Sequence, residues 1–260
     1  MKNRLKILLI AIIGSIGLIS TSFFIPYSFT AIHDGLSADF WLFISHTGGT
    51  YGVPFITLLF CIIISFQYKG WIRKSLSITL SLLTFSIILG GLAQLNEFFI
   101  KEKLQVERPN IKYLESQQLL DADEFYRQPS KDARRAYLKN HLQEHNITTI
   151  YFDDEPLHPD VMEHWMHATG YSFPSGHSVN AFLMATLMGY ILLFMYADFR
   201  RRMLFLLPFI WALLVAASRV MLGVHSPTDV TFGATWGCLC GLLITVTGLV
   251  DKNLKQKILY

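Results

Sequence analysis

Six stretches of the chain are apolar for long enough to cross a lipid bilayer, and polar segments part them. The first, about Leu5 to Phe29, follows the basic start Lys2, Arg4 and Lys6 and has the layout of a secretory leader. It exceeds the usual length of a leader's apolar region, and Ser20-Thr21-Ser22-Phe23 makes a poor cleavage site, so it reads as an uncleaved spanning helix. The others run from Thr50 to Gln67, Ser75 to Ile100, His177 to Tyr196, Met203 to Leu222 and Thr228 to Val250. The pattern predicts an all-α membrane protein with six transmembrane helices and a large polar segment, Lys101 to Gly176, between the third and fourth.

Composition agrees: 52% of the residues are hydrophobic and only 16% charged, with mean hydropathy +0.38, which excludes an ordinary soluble domain. The formal charge of +3 does not point to nucleic acid, because more than half of the Lys and Arg sit in short clusters beside apolar runs. Lys2/Arg4/Lys6, Lys69/Arg73/Lys74, Arg200/Arg201/Arg202 and Lys252/Lys255/Lys257 alternate with Ala31 to Gly49 and Gly223 to Pro227, which hold no Lys or Arg. The positive-inside rule then places both termini in the cytoplasm and residues 101–176 outside, as a cap too long to be held back by its nine basic residues. The chain is expected to be a single unit: 1–100 with three spans, 101–176 the external cap, 177–250 with three more spans, and 251–260 a cytoplasmic tail. Cys61, Cys238 and Cys240 lie in apolar segments and suggest no disulfide framework.

Within the cap, Ser130 is placed to N-cap a helix reaching about His145, and Pro159 to open a second one ending at Gly170. Such helices suit a cover lying along the membrane surface.

Three groups of chemically capable residues fall at the outer ends of the spans. Lys101 and Arg108 stand seven apart, which on a helix is nearly one face and about 10 Å along the axis, and Pro109 forces Arg108 out of helical geometry. Snorkelling at the membrane edge, with Lys101 paired to Glu97, is the plain alternative. In Phe173-Pro174-Ser175-Gly176-His177-Ser178, Ser175 suits an N-cap, Gly176 lets backbone amides approach an anion, and His177 can deliver a proton. An ordinary helix start would look the same. In Ser218 to Asp229, Arg219 demands an anionic partner at its depth, and His225 can direct one ring nitrogen at Asp229 and the other outward as a nucleophile. Ser226-Pro227-Thr228-Asp229 also reads as a capping box, so Asp229 has two possible jobs. Three cations, a helix N-terminus and two histidines on one face share an obvious ligand, a phosphoryl group.

Lys101-x6-Arg108-Pro109, Pro174-Ser175-Gly176-His177 and Ser218-Arg219-x5-His225-x3-Asp229 resemble, in order and spacing, the three-part signature of the type 2 phosphatidic acid phosphatase superfamily. The cap segment Asp123-Glu124-Phe125-Tyr126 is similar to that of bacterial members. The resemblance implies a lipid phosphatase at the periplasmic face of a bacterial inner membrane. His225 would form a phosphohistidine, Asp229 would orient it, and His177 would serve the leaving oxygen and then water. Lys101, Arg108, Ser175, Gly176 and Arg219 would hold the phosphate. It implies no metal and no cofactor, lipid phosphates as partners, and no obligate protein partner. Phosphatidylglycerophosphate, phosphatidic acid, lysophosphatidic acid, diacylglycerol pyrophosphate and undecaprenyl pyrophosphate are the substrates it suggests.

Rival readings are a phosphotransferase passing the group to a lipid A or sugar acceptor, a vanadate haloperoxidase, whose known forms are soluble, and an anionic-lipid transporter. A transporter would place charge deep in several helices, whereas here charge gathers at one edge. Glu163, His164 and His167, with His158 and Asp160 nearby, invite a metal but read as a solvated cap helix. Asn146-Ile147-Thr148 is a glycosylation sequon without meaning in a bacterial host. Gly90 and Gly91, and the stripe Gly233, Gly237 and Gly241, suggest close helix packing.

Overall fold

The computed structural model describes residues 2–25, 32–33, 35–152, 154–196 and 198–248. The expected end of the first span beyond Ile25, and the tail with Lys252, Lys255 and Lys257, lie outside the described residues. The described residues are mostly helical. α1 (Lys2–Ser20), α2 (Gly35–Thr47), α3 (Gly52–Ser65), α4 (Trp71–Gln94) and the short α5 (Glu102–Leu104) lead into the cap. The cap holds α6 (Pro109–Ser116), α7 (Ala122–Arg127), α8 (Lys131–Glu144), a two-residue antiparallel pair β1 (Tyr151–Phe152) and β2 (Glu155–Pro156), and α9 (Pro159–His167). α10 (Gly176–Met195), α11 (Phe199–Arg202), α12 (Leu207–Met221) and α13 (Pro227–Val246) complete the bundle.

Among the described residues, five helical segments are long and apolar enough to span a membrane, and a bent pair, taken as one span, makes a sixth. That sixth span corrects the sequence reading. Instead of one helix from Thr50 to Gln67, α2 and α3 meet at 64°. The bend follows from Gly48 and Gly52. A Cβ on Gly48 would lie 2.3 Å from Val215 of α12, and one on Gly52 would lie 2.3 Å from the carbonyl oxygen of His46. α2 escaped the sequence reading because Asp39, Ser45 and His46 interrupt a run too short to cross by itself.

α10 is apolar on every face, and a helix of that kind belongs in the middle. Every residue from Ala181 to Leu193 is buried. α13 lies along it with its glycine stripe inward. A methyl on Gly237 would fall 2.3 Å from the carbonyl oxygen of Val179, and one on Gly241 would fall 2.7 Å from Thr186 Cβ. Where lipid tails offer no hydrophobic drive between helices, such close van der Waals approach holds the pair together. Gly90 and Gly91 do not share this role, since a Cβ on either meets nothing within 4 Å.

The cap helices begin where their capping residues dictate. The Ser130 hydroxyl accepts the Ala133 N–H at 3.1 Å, and Pro159 opens α9. α9 stops at His167, three residues before the expected Gly170.

Candidate active site

Three sequence-distant segments meet at the end of the bundle that carries the N-termini of α10 and α13. α12 ends with Gly223 in the left-handed region at φ +69°, which only glycine adopts without strain. The N–H groups of Val224 and His225 both return to the Arg219 carbonyl, at 3.2 and 3.1 Å. Trp165 of α9 packs over this turn and donates its indole N–H to the Leu222 carbonyl at 2.6 Å. The turn therefore presents His225 in one orientation. A main-chain bond from Ser175 N–H to the Asp229 carbonyl, 3.1 Å, ties the start of α10 to the start of α13.

His225 is almost completely buried, and its two ring nitrogens face different partners. Arg108 Nη1 lies 3.3 Å from Nε2. A guanidinium can only donate, so Nε2 is the unprotonated nitrogen and the ring proton sits on Nδ1. Nδ1 lies 3.2 Å from the Ser172 hydroxyl, which donates to Asp229 Oδ2 at 2.5 Å; the direct Nδ1–Oδ2 separation is 3.5 Å. Asp229 thus orients His225 largely through Ser172. The same carboxylate oxygen accepts the Ser226 N–H at 2.7 Å, and Ser226 Oγ accepts the Asp229 N–H at 3.1 Å. The capping box is present as well, and Asp229 makes both sets of contacts. Burial first, and then the charges of Arg108, Arg219 and Lys101, hold His225 well below the usual histidine range. It is neutral at neutral pH, as a nucleophile must be.

The cations are fixed individually. Arg108 donates from Nε to the Gly170 carbonyl (2.7 Å) and from Nη1 to the Val224 carbonyl (3.0 Å), while its own N–H goes to the Tyr126 hydroxyl (2.8 Å). Burial pushes that hydroxyl up to about 12. Lys101 and Arg108 do not share a helix face: Gln105 turns left-handed at φ +49°, and Arg108 is extended ahead of Pro109. Lys101 ends a π-helical turn, Leu95–Lys101, and its ammonium lies 3.3 Å from Glu97, which Lys131 of the cap also contacts. Arg219 Nη1 bonds the Ser45 hydroxyl of α2 and lies 3.0 Å from His164 Nε2 of α9, while its Nε is buried without a partner.

A cavity of about 620 Å³ brings together Lys101, Arg108, Gly176, His177, Arg219 and His225. His177 faces the α2–α3 break, where a Cβ on Gly49 would lie 3.5 Å from Nε2. Val53, Pro54, Leu89 and Ala93 of α3 and α4 make an apolar side wall. Ser175 takes its expected capping place. Its side chain is wholly buried, and its hydroxyl accepts from the N–H (3.4 Å) and hydroxyl (3.1 Å) of Ser178, so it caps α10 and is not part of the cavity wall. A second cavity, about 490 Å³, is lined by Asp229, Ser226 and Asn110.

Ser172 and Ser45 carry no spacing signal in the sequence, His164 stands there only as a discounted metal ligand, and Tyr126 only in the cap segment similar to bacterial members. His164 is not available to a metal through Nε2, which faces Arg219. His158 and Asp160 stand instead with Asp39 of α2, their ligand atoms within 4.8 Å, on the surface.

Fold and site define an integral membrane protein whose helices and cap enclose a cationic cavity with a buried, oriented histidine. The chain belongs to the PAP2 superfamily, whose profile matches residues 76–250, and it is a lipid phosphatase of that family. It is similar to phosphatidylglycerophosphatase B of Haemophilus influenzae, 28% identical over 228 residues, 86% of this chain and 85% of that one. The Escherichia coli K12 protein of the same name is 32% identical over 157 residues, 60% of this chain and 55% of that one. The crystal structure of a transmembrane PAP2-type phosphatidylglycerolphosphate phosphatase from Bacillus subtilis shares the fold, with TM-score 0.50, 19% identity and 96% of each chain covered.

Proposed function

We propose that the protein removes the terminal phosphate of phosphatidylglycerophosphate and related lipid phosphates through a phosphohistidine on His225, without a metal. The supporting observation is the pairing on His225: a donor-only guanidinium at Nε2 and the Ser172–Asp229 pair at Nδ1 leave a lone pair on the nitrogen that faces the cationic cavity. Nε2 attacks phosphorus, the bond to the lipid oxygen breaks, and His177 gives that oxygen a proton. His177 then takes a proton from water, whose oxygen attacks the phosphohistidine and releases phosphate. Lys101, Arg108, Arg219 and the Gly176 amide meet the charge on the phosphoryl oxygens, the service a metal ion gives elsewhere.

The apolar wall from α3 and α4 supports a substrate whose tails stay in the bilayer. The cavity lies at the helix ends opposite Arg73/Lys74 and Arg200–Arg202, which supports a periplasmic site with cytoplasmic termini. Phosphatidic acid, lysophosphatidic acid, diacylglycerol pyrophosphate and undecaprenyl pyrophosphate carry the same reacting group and belong in the substrate panel.

The test is phosphate release by detergent-purified protein, with acceptor labelling followed in parallel. Wild type should release phosphate, and His225→Ala should lose about a thousandfold or more in kcat. Undiminished release by that variant would remove His225 as nucleophile, and label appearing on an acceptor in place of free phosphate would make the protein a transferase.

A further inference from the structure

Outside the groups that surround His225, the cavity has a second basic wall, supplied entirely by the cap. Lys131 and Arg135 stand one turn apart on α8, His167 ends α9, and all three line the cavity. We propose that these three residues form a second anion subsite, which holds a phosphate of the substrate other than the one transferred. The proposal rests on the phosphatase reading above and ranks lipids with two phosphates ahead of those with one.

Its place is fixed by contacts to the inner site. Glu97 meets Lys101 on one oxygen and Lys131 on the other, so a single carboxylate separates the two ammonium groups. Gly170 links the subsites on the other side. Its carbonyl takes Arg108 Nε at 2.7 Å, and a methyl on its α-carbon would lie 2.8 Å from Lys131 Cε. Thr169 Oγ1 donates to the Lys131 carbonyl at 3.0 Å and pins the start of α8 to the same strand of chain. A phosphate beside Lys131 would therefore be a near neighbour of one beside Arg108.

Charge gives the second argument. Among the described residues, Glu97 is the one carboxylate on a wall that also carries Lys101, Arg108, Lys131, Arg135 and Arg219. Such an excess beside apolar helices suits a polyanion better than one monoester. Arg135 holds Asp132 only at 3.5 Å and His167 holds Glu163 only at 3.8 Å, both acids well exposed, so these pairs yield readily to a phosphate. The Arg135 Nε is buried without a partner. The matching ligand is a second phosphate close to the first, either the phosphodiester of a glycerophospho headgroup or the inner phosphate of a lipid diphosphate. Phosphatidic acid has nothing to put there.

Two measurements on the full chain in detergent test this. By titration calorimetry, wild type should bind methylenediphosphonate about tenfold more tightly than methylphosphonate, and K131A/R135Q should close that gap. In turnover, the same variant should raise KM about tenfold more for two-phosphate lipids than for phosphatidic acid, with size-exclusion elution reporting its folding. A selective rise with phosphatidylglycerophosphate assigns the phosphodiester, and one with a polyprenyl diphosphate assigns the inner phosphate. Equal rises on all lipids, or a wild-type preference under twofold between the phosphonates, overturn the subsite. If the variant does not fold, the wild-type comparison decides alone. If wild type turns over no lipid at all, the phosphatase reading fails while the phosphonate comparison still judges the subsite.

Discussion

α10 and α4 are both apolar helices with a site residue at or beyond their cavity ends, yet they are built in opposite ways. α10 is enclosed along most of its length, whereas α4 buries only Ser77, Phe85 and Leu89 and turns Leu76, Leu80, Leu83 and Ile87 outward. The half of the site on α10, α12 and α13 holds His177, Arg219, His225 and Asp229 against close-packed backbone. The half reached through α4 and its π-helical turn holds Lys101 and leads to the cap. On the proposed function, chemistry that needs fixed atoms falls to the enclosed half, and headgroup recognition falls to the half whose neighbours can adjust.

The strongest challenge to this division is Arg219→Ala. A preorganised donor to the phosphoryl oxygens lost from the enclosed half should cost about 10²–10³ in kcat with little change in KM, read by steady-state phosphate release. A loss confined to KM would place Arg219 with the recognition half. Ser172→Ala removes the hydroxyl between His225 and Asp229 and should lower kcat about 10- to 100-fold, the worth of a hydrogen bond to a charged group. If the 3.5 Å direct contact suffices, the variant will match wild type and Ser172 is only packing. Packing itself separates the halves. Gly237→Ala drives a methyl into the Val179 carbonyl and should cost about 1–3 kcal/mol in detergent unfolding, while Gly91→Ala on α4 should be neutral or slightly stabilising. Equal losses would mean that α4 is as tightly held as α10.

The smallest effect concerns pH. Because burial and three cations depress His225, it remains neutral as pH falls through 6.5, and the acid limb of kcat/KM lies below that value. The sign for stability follows: the unfolded chain takes up a proton near 6.5 that the folded site refuses, so stability is full above 6.5 and is lost as pH falls toward the lower folded value. A limb at or above 6.5 would show that the ring is not enclosed as described.

How much of this was legible in the sequence follows from what each signal measures. Long apolar runs announced α1, α4, α10, α12 and α13, because length is what a bilayer demands. α2 was invisible, since thirteen residues with Asp39 and His46 satisfy no spanning rule and its role depends on packing against α12. Lys101, Arg108, Gly176, His177, Arg219 and His225 came together as their motifs suggested, although a left-handed turn at Gln105 does what a helix face was expected to do. Ser175 caps α10 as its place in the sequence suggests, and its buried hydroxyl does not line the cavity. Ser172 and His164 act through neighbours more than fifty residues away, a relation no local spacing records.

The carboxylate of Glu97, held between Lys101 and Lys131, means that the resting cavity carries its own counter-ion on the chain. A phosphate bound there would take the place of that carboxylate on one or both lysines. On the proposed function, the cavity would work as an ion exchanger, and a tethered anion that returns to its lysines as phosphate loosens would help release the product.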